Sequence, residues 1–324
     1  MALSLALAYG FAMPLPFLAP LFAIFLTSTP APPMGPKSLL GLLLVMSITL
    51  GTGLVLTPIL RNYPWTGVMI VATGVFVSTY LSVGLGQGLV STLLTIGLTM
   101  IPAAGLIEHA VARSVVQALL IGISMAIACQ WMVYAFVPED AGAAPKKPKT
   151  QASQAAWLAL RTMLIVLPPV LMAFTNPSLY MAIIMKAVML GQQGSVVSAR
   201  AAGKELLGST FLAGVFAMAF WFALQACPSL WMFFLWMLLF GLYLGAKLYG
   251  VSATRFPPSF WVNVGATMLI LIGPAVQDST SGDVRSAFAQ RFVLFVAVTV
   301  YAWFAILALE RLRERRSARP APAV

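Results

Sequence analysis

The chain has 324 residues, of which 60% are hydrophobic and only 8% are charged. Soluble domains carry about a quarter charged residues, so this composition excludes a soluble globular protein and predicts an integral membrane protein. The net charge of +11 could suggest nucleic acid, but the basic residues lie between and after the apolar runs rather than among aromatic residues on one face. We therefore expect no nucleic-acid partner and interpret the charge as a sign of membrane topology.

Apolar runs recur along the chain and are separated by polar or Pro/Gly clusters. Their length of about twenty residues is typical of membrane helices, not of the roughly ten-residue strands of a barrel. The sequence therefore predicts an all-α protein with about twelve spans. The first two are short, and Pro14, Pro16 and Pro20 make them either two helices or one broken helix. The predicted spans are 2–13, 15–29, 38–60, 64–83, 87–107, 112–137, 156–174, 177–193, 205–226, 229–249, 257–276 and 288–310.

The twelve predicted spans form two sets of six, and a weak internal repeat relates the sets. Lys37-Ser-Leu-Leu-Gly41 aligns with Lys204-Glu-Leu-Leu-Gly208, each at the start of a long apolar helix. Because six is an even number, the two units would run in the same direction through the membrane, with ligand sites between them. The expected segments are a first repeat, a cytoplasmic linker, a second repeat and a basic tail, at 1–137, 138–155, 156–311 and 312–324.

Basic residues in short loops decide the orientation, because Lys and Arg collect on the cytoplasmic side. With the N-terminus inside, four basic residues lie outside, namely Arg61, Arg113, Arg285 and Arg291. The fourteen inside are Lys37, Lys146, Lys147, Lys149, Arg161, Arg200, Lys204, Lys247, Arg255, Arg311, Arg313, Arg315, Arg316 and Arg319. We therefore expect a multi-pass protein with both termini and the linker in the cytoplasm.

Three stretches resemble a known family. They are the break PLPFLAPLFAIFL (14–26), the helix start at Lys37 and Gly41, and its second copy ARAAGKELLGSTFLAG (199–214). On these residues the chain resembles a compact member of the fusaric acid resistance (FUSC)-like, aromatic acid exporter superfamily. Gly41-Leu42 departs from the Gly-Thr-like pair of the family pattern. Larger members carry a cytoplasmic domain after each six-helix unit, for which we expect only the linker and the tail here.

The resemblance implies a bacterial inner-membrane exporter of small aromatic or amphipathic organic acids and related toxic compounds. It also implies a periplasmic adaptor of the membrane-fusion type and an outer-membrane channel as partners, beside the membrane lipids. The two repeats would form a pseudo-dimer around a central path. No cofactor is expected.

Lys186 lies near the middle of the eighth predicted span. A lysine at the bilayer centre costs about 2.5–3.5 kcal/mol on insertion scales, so such residues usually face a cavity or a partner. Facing a path between the repeats, its ammonium would attract an organic carboxylate. Tyr180 and Met189 share its helical spacing and would contact the apolar part of the acid, while Gln192 and Gln193 would line the path. Snorkelling or packing is the alternative.

Two further pairs are candidates for roles at the ends of the path. Arg200 and Lys204 could guide anions at the inner mouth, although topology alone would also place them there. His109, the only histidine, stands beside Glu108 and makes this pair a candidate for a proton step. A solvated loop is the alternative for both residues.

Acidic residues are absent from the centres of the predicted spans, so the usual buried carboxylate of a proton-driven carrier is missing. This absence favours a passive organic-anion pathway as one alternative to an energised exporter, and a non-transporting subunit of an export assembly is another. An enzyme is disfavoured because the chain has one His, no HExxH and no P-loop, so neither a catalytic residue nor a metal site is predicted. The acids are Glu108, Glu139, Asp140, Glu205, Asp278, Asp283, Glu310 and Glu314.

Overall fold

The computed structural model describes residues 1–28, 32–85, 88–138, 152–194, 203–277 and 284–317. These residues form twelve α-helices and one π-helical turn, Gly203–Leu207, and they contain no β-strand. The helices are α1 Ala2–Gly10, α2 Leu18–Thr27, α3 Pro36–Asn62, α4 Pro64–Leu85, α5 Gly88–Ile107, α6 His109–Phe136, α7 Ala152–Thr175, α8 Pro177–Gly194, α9 Gly208–Ala226, α10 Leu230–Leu248, α11 Pro258–Gln277 and α12 Val284–Ser317.

Within the described residues, nine helices are long and apolar enough to cross a membrane, namely α3 to α7 and α9 to α12. The chain is therefore a multi-pass, all-α integral membrane protein, as its composition predicts. Each predicted span overlaps one α-helix. Helices α1 and α2 have only 9 and 10 residues, and α8 is also outside the nine. A total of twelve membrane spans stays a prediction.

The N-terminal break separates two short helices rather than bending one. Ala12 and Leu15 have positive φ angles of 48° and 51° in the connection between α1 and α2. Pro20 lies in the first turn of α2, where a helix does not need the missing backbone N–H. The sequence leaves both forms open, and the structure has two helices.

Helices α3 and α5 approach each other closely enough for their backbones to touch. A Cβ atom at Gly53 would lie 2.0 Å from the carbonyl oxygen of Gly97, and one at Gly97 would lie 2.2 Å from that of Thr49. Small residues at such crossings allow the close packing that holds membrane helices together. Neither glycine can therefore gain a side chain without displacing a backbone.

Helix packing follows a pattern that recurs along the chain. Helices α3 and α5, α2 and α6, and α4 and α5 pack together among the first six. Their counterparts α9 and α11, α8 and α12, and α10 and α11 pack together among the last six. Four contacts join the two sets. Helix α4 packs against α7, and α1 packs against α10. Helix α5 packs against α8, and α2 packs against α11.

An ion pair joins α7 to α12. The Arg161 Nη1 atom lies 2.6 Å from Glu310 Oε1, and the two side chains are 4% and 25% exposed. Arg313, one turn beyond Glu310 on α12, places its guanidinium 5.5 Å from the centre of the Trp157 ring on α7. Both contacts fix the C-terminal part of α12 against the start of α7.

Candidate functional site

Lys186 lies in the interior of the protein, on α8. Its side chain is 0% exposed and is among the largest fully buried side chains that the structure describes. On the same helix, residues 183–188 are all buried. The long apolar stem of the lysine explains how the residue packs there, but its terminal nitrogen still needs hydrogen-bond partners.

Helix α11 supplies these partners. The Lys186 Nζ atom donates to Thr267 Oγ1 at 2.8 Å and to Asn263 Oδ1 at 3.3 Å. Both acceptors are neutral, and an ammonium group has three N–H donors. Among the described residues, no carboxylate pairs with Lys186 and no third acceptor is in reach of its nitrogen. The Lys186 ammonium group can therefore donate one further hydrogen bond.

The lysine is the innermost member of a row of polar side chains, here called the polar seam. Ser259, Asn263 and Thr267 follow one another at one-turn spacing on a single face of α11. Each of them forms a hydrogen bond with a polar side chain from outside α11. Ser259 donates to Glu205, and Asn263 donates to Ser209. Thr267 accepts from Lys186. The seam consists of Lys186, Glu205, Ser209, Ser259, Asn263 and Thr267.

The π-helical turn before α9 carries the other side of the seam. Glu205 lies within this turn and Ser209 in the first turn of α9, so the two face α11 at the same spacing as Ser259 and Asn263. The Ser209 hydroxyl also donates to the carbonyl oxygen of Leu206 at 3.1 Å. Single π turns inside helices frequently mark functional sites. Here the turn places a carboxylate at the outer end of the seam.

An apolar cavity of about 270 Å³ lies on a neighbouring face of α8. Met185 and Met189 line it, whereas Lys186 between them in sequence points to α11. Helices α2, α5 and α6 supply the other walls, and Thr92 is the one polar residue of the lining. The lining residues are Leu21, Phe22, Phe25, Leu26, Thr92, Leu93, Ile96, Ile123, Met185, Val188 and Met189.

The predicted site residues divide into those near this region and those elsewhere. Lys186 belongs to the seam and Met189 to the cavity lining, while Tyr180 is half-buried against the apolar core. Lys204 is exposed on the π turn, next to Glu205. His109 and Glu108 are exposed where α6 begins and belong neither to the seam nor to the cavity lining. Arg200 and the side chains of Gln192 and Gln193 lie outside the described part of the structure.

Sequence reasoning missed the remaining seam residues and most of the cavity lining. The spacing of Ser259, Asn263 and Thr267 in an otherwise apolar helix was a visible signal, because polar residues four apart lie on one helix face. The same holds for Glu205 and Ser209. The cavity had no such signal, since its lining is apolar and comes from four helices.

The region combines hydrogen-bond donors with apolar surface. Among the residues that the structure describes, no three His, Cys, Asp or Glu side chains are close enough to hold a metal ion. Lys186 supplies a terminal amino group that donates hydrogen bonds, and the seam supplies hydroxyl and amide groups around it. The cavity supplies apolar surface on the next face of the same helix.

Comparison with known proteins finds a match for only part of the chain. Residues 1–133 match a family model described as "Protein of unknown function (DUF2955)". No curated protein matches the chain, and no solved structure does so. The matched residues end within α6, before the seam begins, so the geometry of the site has to carry any functional conclusion.

Proposed function

We propose that this protein is an exporter of small aromatic or amphipathic organic acids, and that Lys186 binds the carboxylate of the transported acid. One observation carries the proposal: among the described residues, the fully buried lysine has only neutral acceptors, Asn263 and Thr267. A buried cation without a counter-charge is costly in a membrane protein and usually marks a substrate or ion pathway. A carboxylate would supply the missing charge, and the acid passes through chemically unchanged.

The apolar cavity supports the second half of the substrate description. Phe22 and Phe25 from α2 face Met185 and Met189 from α8 across it. Methionine side chains adapt to ligands of different shapes, and aromatic rings pack well against other rings. An acid with a flat apolar body could therefore lie in the cavity while its carboxylate reaches the neighbouring face of α8.

Two parallel six-helix repeats form part of the same proposal. The matching helix contacts of the two sets support it, and so does a sequence match between α5 and α11. Gly97, Thr99, Met100 and Gly105 of TIGLTMIPAAG (95–105) correspond to Gly265, Thr267, Met268 and Gly273 of NVGATMLILIG (263–273). In this arrangement the cavity lies between the repeats, as expected for such transporters.

The proposal includes a bacterial inner membrane as the location, with both termini and the linker in the cytoplasm. The excess of basic residues in the predicted inner segments supports this orientation. The resemblance to aromatic acid exporters supports a periplasmic adaptor of the membrane-fusion type and an outer-membrane channel as partners.

Export from cells that express the protein tests the function. We would load cells with a panel of aromatic acids and compare wild type with Lys186→Ala, Lys186→Leu and Lys186→Arg at matched protein levels. Because a hydrogen bond to a charged group contributes about 1.5–3 kcal/mol, the Ala and Leu variants should lose about tenfold or more of the export rate. Arg keeps the charge and should keep part of the rate.

Lys37→Ala is the matched control, because Lys37 is exposed at the start of α3 and belongs neither to the seam nor to the cavity lining. It should export like wild type. If the Ala and Leu variants export at the same rate as wild type, Lys186 is a packing residue. Export of none of the acids by wild type would contradict the proposed function itself.

A passive anion pathway is the second candidate. It is favoured because, among the described residues, no carboxylate forms an ion pair with Lys186. In proteoliposomes, a passive pathway predicts acid flux that follows the membrane voltage without a pH gradient. Flux that requires the pH gradient would exclude it.

A further inference from the structure

The polar seam connects one end of α9 and α11 to the buried lysine. Its outer end, Ser259, is half-buried in the first turn of α11, and its inner end, Thr267, is fully buried. The eight steps along the chain from Ser259 to Thr267 cover about 12 Å along the helix axis at 1.5 Å per residue. The seam therefore leads from the predicted cytoplasmic surface to Lys186.

The seam is a row of hydrogen-bond donors with one exception. Ser209, Ser259 and Thr267 carry hydroxyl groups, Asn263 an amide and Lys186 an ammonium group, all of which can donate to an anion. An ionised Glu205 can only accept. The single carboxylate of the seam thus lies at its outer end, among groups suited to bind carboxylates.

Glu205 is buried and hydrogen-bonded although it lies at the outer end of the seam. Its side chain is only 8% exposed and accepts a hydrogen bond from Ser259. Lys204 beside it and Arg255, which precedes α11, are both exposed. Two exposed basic residues thus lie near Glu205 and Ser259 in the sequence, and the Glu205 carboxylate accepts the hydrogen bond of the outermost seam hydroxyl, Ser259.

We propose that Glu205 is a built-in competitor of the substrate, occupying the place that an incoming carboxylate takes first. This inference rests on the proposed function and deepens it. The acid displaces Glu205 from Ser259, then passes along Ser209 and Asn263 to Lys186. Because like charges repel at close range, Glu205 also weakens the binding of every acid at this mouth. It sets the concentration at which export begins.

Uptake of radiolabelled benzoate into inverted membrane vesicles, whose cytoplasmic face is outside, tests the inference. Glu205→Gln removes the charge but keeps the shape, and it should lower the half-saturating benzoate concentration by about tenfold. Glu205→Asp keeps the carboxylate and should stay within about threefold of wild type. Glu314→Gln, which removes an exposed carboxylate from α12, should behave like wild type.

Ser259→Ala separates competition from a structural role of the same hydrogen bond. It removes the first donor for the acid, so the half-saturating concentration should rise by about threefold. The two substitutions thus act in opposite directions, whereas loss of a merely structural contact would impair uptake in both. Impaired uptake in both variants would overturn the inference.

Three other outcomes separate a failure of this inference from a failure of the proposed function. Wild-type uptake with an unchanged half-saturating concentration in Glu205→Gln overturns the role of Glu205 and leaves the exporter proposal standing. Uptake of benzoate in neither wild type nor Glu205→Gln overturns the inference, while the panel of aromatic acids decides the exporter proposal. Uptake in Glu205→Gln but not in wild type supports the inference strongly, because the competitor alone then blocks entry.

Discussion

At the scale of single residues, Lys186 depends on two side chains of another helix, Asn263 and Thr267. A lone lysine in an apolar run indicates a residue with a partner or a cavity, because the charge is costly in a bilayer. The sequence did not indicate that Asn263 and Thr267 would be the partners, since they are about eighty positions away and on another helix. Only the packing of α8 against α11 brings these three side chains together.

Thr267→Val tests whether the threonine hydroxyl supports Lys186. Valine has nearly the same shape but no hydroxyl, so the lysine would lose its acceptor at 2.8 Å. We expect a loss of about 1.5–3 kcal/mol in the free energy of unfolding, because the bond involves a charged group. Thermal unfolding in detergent, followed by tryptophan fluorescence, measures the loss.

Thr99→Val is the matched control for this prediction. Thr99 occupies the corresponding position in α5, and its hydroxyl donates to the carbonyl oxygen of Thr95 at 2.6 Å. No lysine depends on it, so the loss should be about 0.5–1.5 kcal/mol. Equal losses in the two variants would show that Thr267 does no more for the fold than an ordinary buried threonine.

At the scale of helices, the sequence predicts well where each helix lies along the chain, but it predicts poorly which side of a helix packs against its neighbours. The length of each apolar run and the Pro/Gly clusters between runs mark the ends of the helices, and each of the twelve predicted spans overlaps one helix. The seam depends on which face of α11 meets α9 and α8. The apolar composition of α11 gives little guidance to its orientation, because membrane helices are apolar on every side.

Gly97→Ala tests the close crossing of α3 and α5. A Cβ atom there would collide with the backbone of Thr49, so the helices have to separate, at a cost of about 1–3 kcal/mol. Gly51→Ala is the control, because a Cβ at Gly51 on α3 meets no atom within 4 Å. The Gly97 variant should melt at a lower temperature, and the Gly51 variant should melt at or above the wild-type temperature. Similar melting of the two variants would contradict the crossing.

The ion pair between α7 and α12 gives a second test at this scale. Glu310→Gln leaves the buried Arg161 without its counter-charge, whereas Arg161→Met leaves a carboxylate that is partly exposed to solvent. Because an unpaired buried charge is the costlier of the two, Glu310→Gln should destabilise the protein more, by about 1–3 kcal/mol. Thermal unfolding of both variants compares them, and a larger loss in Arg161→Met would contradict this assignment.

At the scale of the whole molecule, the best sign of two repeats lies in α5 and α11. One match in the sequence is short and pairs residues 37–41 with residues 204–208. A longer match begins at Gly97 and Gly265. The two proposed repeats differ where function is concerned. With Lys37 aligned to Lys204, the position that corresponds to Lys186 is Ala19, and with Gly97 aligned to Gly265 it is Leu18. Neither residue carries a charge, so the proposed site is asymmetric.

Transport by the purified protein tests the central claim most directly, because it removes the other exporters of the cell. The measurement is the release of a panel of aromatic acids trapped in proteoliposomes, with wild type beside Lys186→Leu and Lys37→Ala. The account predicts that wild type and Lys37→Ala release at least one acid at equal rates, and that Lys186→Leu releases it about tenfold more slowly or not at all. Equal release by wild type and Lys186→Leu would contradict the claim that the buried lysine binds the transported anion.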